Sequence, residues 1–198
     1  MAMAENDDMP TSPAGLPPGL AALMAEAGQQ ARPQPVERWN PPDCGDIDMS
    51  VGADGRWSYM GSPIGRDALV RLFASILRRE PDGRHVLVTP VEKVGIRVAD
   101  APFLAVEMDA EGSGESQTLS FRTNVGDVVC AGPDHPLRFA LEAGTGGLKP
   151  YLLVRGGLEA LVTRALAQDV VELAERGGSG SGVWSGGRFF TLPEPADG

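Results

Sequence analysis

The sequence predicts an α+β fold with a duplicated strand-helix core. Three observations carry that prediction. Residues 54–90 read as strand, sharp turn, amphipathic helix, glycine turn and strand. A looser copy of that order runs over residues 149–193. Between them lie short β-rich runs separated by Gly, Pro and Asp, the residues of turns.

The elements are expected in the following order. Residues 1–35, rich in Pro, Ala and Gly, are a mobile N-terminal tail, with one short helix around Leu20, Leu23 and Met24. That helix either packs on the body or docks on a partner. Ile47, Met49 and Val51 alternate with Asp46, Asp48 and Ser50, the period of a half-buried strand. Residues 52–55 turn the chain into a second strand at 56–60, which makes a hairpin. Leu69, Leu72, Phe73 and Ile76 recur at helical spacing opposite Asp67, Arg71, Ser75 and Arg78, which predicts a helix over 66–79. Pro81, Asp82 and Gly83 stop it. Residues 36–83 are thus expected as an N-terminal β-β-α domain.

Seven strands are expected next, at 85–89, 94–98, 103–109, 117–123, 127–131, 136–142 and 150–154. A helix then runs from Leu158 through Leu161, Val162, Ala165, Leu166, Val170 and Leu173, and Gly177 ends it. A Gly/Ser connector, 177–187, leads to a last strand at 188–192. About seven strands plus a C-terminal helix is the element order of a pleckstrin-homology-like barrel, so residues 84–195 are expected to form such a half. That analogy concerns fold and carries no function. Within the expected repeat, Tyr59 matches Tyr151, and Leu87–Pro90 (LVTP) matches Phe190–Pro193 (FTLP).

Composition bounds the function. The 198 residues hold 17 basic and 27 acidic side chains, a net charge of −10. Such a protein is poorly suited to nucleic acid or anionic membranes, both of which recruit Lys and Arg. No apolar run reaches the ~18 residues of a membrane span. No basic stretch followed by an apolar one marks the N-terminus, so no secretory signal is expected. Cys44 and Cys130 are expected to be ordinary cytoplasmic thiols.

Loops that resemble phosphate cradles fail on detail. Residues 144–150 (GTGGLKP) lack the GK[ST] ending of a P-loop and are expected to join two strands. Residues 177–187 carry glycines but follow a helix, the reverse of a dinucleotide fingerprint. Cys44, Cys130, His85 and His135 lack zinc spacing. No catalytic motif is present, so no enzyme activity and no cofactor are expected.

Six runs together resemble a known bacterial family, catalogued as domain of unknown function 1285. They are Pro42–Asp48 (PDCGDID) with Gly55-Arg56-Trp57, Gly61–Ile64 (GSPI), Val88–Lys93 (VTPVEK), Asp100–Phe103 (DAPF) and Thr123–Asp127 (TNVGD). The resemblance spans nearly all of residues 39–193. It implies a duplicated α/β core, a cleft between the halves for a nucleotide-like ligand, and a role in signal transduction. An anionic ligand on an acidic protein needs a local positive patch, best made of guanidinium forks. The candidate ligand-binding residues are Lys93, Arg122, Asn124, Arg138 and Arg66. The expected partner is therefore a nucleotide-like small molecule, with no nucleic acid, no membrane and no assigned protein partner. The alternative is a protein-interaction adaptor without a small ligand.

Overall fold

In this computed structural model residues 15–26, 34–177 and 180–193 are described. Helix α1 (Pro18–Glu26) comes first. A single 3-10 turn (Val36–Arg38) then leads to β1 (Asp43–Val51), β2 (Trp57–Tyr59) and β3 (Ser62–Pro63). Helix α2 (Asp67–Ser75) crosses over, and β4 (Leu77–Arg79), β5 (His85–Val88) and β6 (Lys93–Val98) return. The sheet order is β3-β2-β1-β6-β5-β4. Strands β1 and β6 run parallel and all other neighbours are antiparallel.

Residues 99–102 link this sheet to the second. Six strands follow: β7 (Phe103–Glu111), β8 (Thr118–Thr123), β9 (Val128–Cys130), β10 (Leu137–Leu141), β11 (Leu148–Arg155) and β12 (Leu158–Val162). Their order is β10-β11-β12-β7-β8-β9, with β7 and β12 parallel. Both sheets therefore share one plan: three strands step outward, three return, and the first and sixth meet in parallel. Helix α3 (Arg164–Glu172) and a small sheet of β13 (Glu175–Gly177), β14 (Gly180–Ser185) and β15 (Arg188–Thr191) complete the described chain. The fold is α+β and rich in strand. Buried side chains from Leu20 to Phe190 form one contiguous apolar cluster through both sheets. The Trp57 and Phe73 rings stack at 6.1 Å and seat α2 on β2.

Several expectations are corrected. Helix α2 ends at Ser75, whose hydroxyl donates to the Leu72 carbonyl at 2.7 Å. The apolar stripe continues, but Leu77 pairs with Leu87 instead, so β4 occupies the last turn expected of the helix. Strands prevail there because a ladder with β5 satisfies the backbone and buries Ile76 and Leu77 completely. Likewise Leu158–Val162 is strand β12, not helix. Leu158, Ala160 and Val162 face inward with period 2, and the strand lies between β11 and β7.

The expected boundary at 83/84 falls inside the β4–β5 hairpin, since β5 and β6 belong to the first sheet. The second sheet accordingly begins at β7. Three strands follow α3, where only the last, near 188–192, is expected.

The repeat also lies elsewhere than expected. It relates the strand plan of 43–98 to that of 103–162, so Tyr59 (second strand) and Tyr151 (fifth) are not equivalent. Nor are the helices, which follow the third strand in one unit and the sixth in the other.

Part of the expected tail is packed: Leu20 is fully buried on the core. Residues 1–14 and 27–33 of that tail lie outside the described residues. The Gly/Ser connector is mostly strand. Its glycines provide clearance, since a Cβ on Gly182 would stand 2.6 Å from the Phe189 ring. Ser185, fully buried, accepts from Leu119 N at 2.8 Å and donates to the Ala131 carbonyl at 2.7 Å.

Candidate functional site

The seam between the sheets is held by specific contacts. Arg155, on β11, donates to the Ala74 carbonyl of α2 at 2.7 Å and to Asp127 at 2.6 Å. Its guanidinium lies 5.0 Å from the Phe103 ring centre. Arg79 reaches the Gly157 carbonyl at 3.3 Å. Gly55, in the β1–β2 turn, lies against Leu104 and Asn124 of the second unit.

The five predicted ligand residues do not assemble into one patch. Lys93 pairs with Glu80 at 2.9 Å, and Arg78 holds the same carboxylate from the other side at 2.6 Å. Burial pushes the Glu80 carboxyl up, but the hydrogen bonds from Lys93 and Arg78 outweigh it and hold the group below its ordinary range. Arg122 is engaged by Glu107 across the β7–β8 ladder. Asn124 caps the seam, its Oδ1 accepting from Leu104 N at 3.0 Å. Arg138 forms a two-pronged bond to Glu159 at 3.0 and 2.8 Å. Arg66 is exposed at the start of α2. Three of the four cations are thus neutralised by carboxylates, and none of the five lines either cavity described below.

The first of those cavities, about 610 Å³, opens between α3 and the β10–β11 hairpin. The helix contributes Arg164, Ala167, Gln168 and Val171, a single face at i, i+3, i+4 and i+7. The sheet contributes Leu148, Lys149, Leu161 and Val162. Strand register explains why Lys149 and Arg164 line the same cavity. Tyr151 pairs with Leu161, so Lys149, two residues back, stands level with Thr163 at the start of α3. Thr163 makes no side-chain cap, so the first amides of the helix add positive character at that end. Glu142 and Glu172 also line the cavity.

Lys149 is tied into a polar cluster beside the cavity. Its ammonium binds Asp100, of the linker between the sheets, and the Tyr151 hydroxyl donates to the same carboxylate at 2.8 Å. Arg138 stacks 4.1 Å over the Tyr151 ring. Burial pushes the Asp100 carboxyl up, but Lys149 and Tyr151 outweigh it and keep the group below the usual carboxylate range. Hydrogen bonds to Asp100 first and Tyr151 second raise Lys149 to about 12. Two cations and two carboxylates balance within this cluster.

A second cavity, about 380 Å³, is lined by Asp127, Cys130, His135, Val154 and Arg155 among others. The Leu153 carbonyl can only accept, so His135 Nδ1 donates to it at 3.0 Å and the proton sits on that nitrogen. Cys44 and Cys130 are both free and exposed. No three His, Cys, Asp or Glu converge as metal donors among the described residues. No helix among them is long and apolar enough to cross a membrane.

Sequence reasoning passed over Lys149, Arg164, Gln168 and Asp100. Lys149 carried a signal, since it lies in the 144–150 run compared with a P-loop; the connection from β10 to β11 ends at Gly147, and Lys149 stands on β11. Arg164 carried none, because its position on α3 depends on where β12 gives way to helix.

Two six-stranded units of one plan, sealed along a shared core and with a cavity beside the C-terminal helix, define the class of protein. Its family follows from comparison. Residues 34–101 match the model of "Domain of unknown function (DUF1285), N-terminal domain", and residues 102–192 that of "Protein of unknown function (DUF1285), C-terminal domain". The chain belongs to this family. A crystal structure of a DUF1285 family protein from Silicibacter pomeroyi DSS-3 is similar at 50% identity and a TM-score of 0.79, covering 86% of this chain and 93% of that one. One from Shewanella baltica OS155 is similar at 29% identity and a TM-score of 0.50, covering 64% of this chain and 91% of that one. Comparison with curated proteins finds no match.

Proposed function

We propose that this protein is a non-enzymatic ligand-binding protein of signal transduction. Its ligand is a nucleotide-sized anionic molecule, held between α3 and the β10–β11 hairpin. The single observation that carries the reading is that Arg164, which meets no carboxylate among the described residues, lines a cavity of about 610 Å³ with apolar walls, beside Lys149, whose charge is shared with Asp100. Ligand sites of this kind fall within roughly 300–1,000 Å³ and combine apolar walls with a few placed polar groups. Glu142 and Glu172 on the same walls favour a ligand that also donates hydrogen bonds, as a nucleotide base does. The pleckstrin-homology-like reading of the second half belongs here too, as a likeness of element order in which strands precede a helix beside one open end.

The seam is the weaker location. Its guanidiniums are spent on Ala74, Asp127 and Gly157, and its interior is hydrocarbon. A protein-interaction role has one observation in its favour: Val171 and Leu141, near the cavity, stay 46% and 41% exposed.

A thermal-shift panel of nucleoside mono- and diphosphates tests the proposal. Ligand at a hundred times its Kd stabilises by about 2.7 kcal/mol, which is roughly 5–10 °C for a chain of this size. Gln168→Trp fills the cavity from an exposed position and should abolish the shift, as should Arg164→Ala. A panel that moves nothing, or a shift that survives both variants, overturns the assignment.

A further inference from the structure

We propose that the 89–92 turn is a recognition site for the start of an uncapped helix that carries Gly-Leu at its second and third positions. In this chain residues 15–26 occupy the site as a tethered, exchangeable ligand. The inference is independent of the cavity beside α3.

Helix α1 has no means of capping itself. Its N-cap position is Pro17, whose carbonyl accepts the first helical bond from Ala21 N at 2.9 Å and whose side chain accepts nothing. Pro18 follows with no amide hydrogen, at a position that tolerates the loss. Leu20, third in the helix, holds the amide that a capping side chain ordinarily takes. Glu92 takes it instead. Its Oε1 accepts from Leu20 N at 3.0 Å across 72 positions of sequence. Glu92 is only 5% exposed, and this is its side-chain hydrogen bond among the described residues. The turn is built to present that carboxylate. Thr89 Oγ1 accepts from Glu92 N at 3.1 Å and Val91 N at 3.3 Å, and Thr89 N donates to the Glu92 carbonyl at 2.9 Å.

Two further features select the occupant. A Cβ on Gly19 would stand 2.6 Å from Glu92 Oε1 and 2.8 Å from Thr89 Oγ1, so any larger residue has to displace the side chains that cap the helix. The Leu20 side chain enters the core completely, while Leu16, Leu23 and Met24 pack on it partly. A helix with its own Asp cap would bring a second carboxylate against Glu92 and be repelled. The site thus reads a missing cap, a missing Cβ and one leucine, all within four residues.

The test uses the full chain and a labelled peptide of residues 15–26. In Leu20→Asp the native helix should leave its seat. Hydrogen exchange in 18–26 should then rise at least about ten-fold while β5 and β6 keep their protection. That variant should bind the free peptide at least about ten-fold more tightly than wild type, whose own helix competes at high effective concentration. A peptide carrying Gly19→Val should not bind. Full-chain Gly19→Val, which keeps the leucine, should repeat the exchange pattern. The proposal is overturned if either variant loses protection in β5 and β6 together with α1, since the helix is then an integral part of the core. It is equally overturned if the peptide binds Leu20→Asp no better than wild type, or if the valine peptide binds as well.

Discussion

Replacing Arg155 with alanine would separate two views of the seam: two units clamped together, or two units merely in contact. Arg155 Nη2 donates at 2.7 Å to the carbonyl of Ala74, in the last turn of α2, where a helix leaves carbonyls without internal partners. Nη1 binds Asp127 at 2.6 Å, each side chain being 27% exposed. A hydrogen bond from a charged donor contributes about 1.5–3 kcal/mol. The partly exposed ion pair adds no more than about 1 kcal/mol after screening. The loss is therefore about 3 kcal/mol, or roughly 6–12 °C in the unfolding midpoint at this chain length. Arg122→Ala is the internal control. It removes a cation from Glu107 at 51% and 58% exposure, and should cost less than about 1 kcal/mol. Arg155→Lys keeps the charge but loses the fork, so it should recover part of the Asp127 interaction and not the bond to Ala74. Calorimetry or urea titration of the three variants decides the matter. If Arg155→Ala unfolds no earlier than Arg122→Ala, the clamp does not exist and the shared apolar core alone joins the sheets.

Further predictions concern the linker and the turn at the seam. Asp100 titrates low in the folded protein. Its contribution is therefore present above the unfolded carboxylate value, about 3.9, and is lost as pH falls through the folded one. Lys149, raised to about 12, contributes fully below its unfolded value and loses that contribution as pH rises through about 12. Asp100→Asn should flatten both limbs of a stability profile measured by urea midpoints from acid to alkaline pH, and an unchanged profile would remove the cluster from the account. Gly55 has φ +74°, and a Cβ there would stand 2.9 Å from Leu104 and 3.0 Å from Asn124. Gly61 has φ +75° with nothing within 4 Å. Both alanine variants should lose about 1–2 kcal/mol to the left-handed backbone. Only Gly55→Ala should lose more, and equal midpoints would mean that the seam relaxes around the added carbon.

The sequence by itself determined which faces are apolar and where many of the strands lie, though not β3, β4, β12, β13 or β14. The seven runs expected between residues 85 and 154 are β5 to β11, most of them within a residue or two, because alternation and turn residues are local signals. The family, too, was legible in short ordered runs. Thr89 and Glu92, quoted there as letters, proved to be the turn that caps α1. What only the tertiary structure decided was pairing and partnership. Ile76–Leu77 and Leu158–Val162 satisfy both a helical and a strand period, and the ladders offered by β5, β7 and β11 settled them as strand or strand entry. The shared plan of the two sheets lives in hydrogen-bond order, which leaves no repeat in the letters. Charge behaved the same way: Lys93, Arg122 and Arg138 look like free cations in a list of residues, yet each meets a carboxylate 13 to 21 positions away. A side chain's type is fixed by its own codon, but whether its charge is available to a ligand depends on what the fold sets beside it.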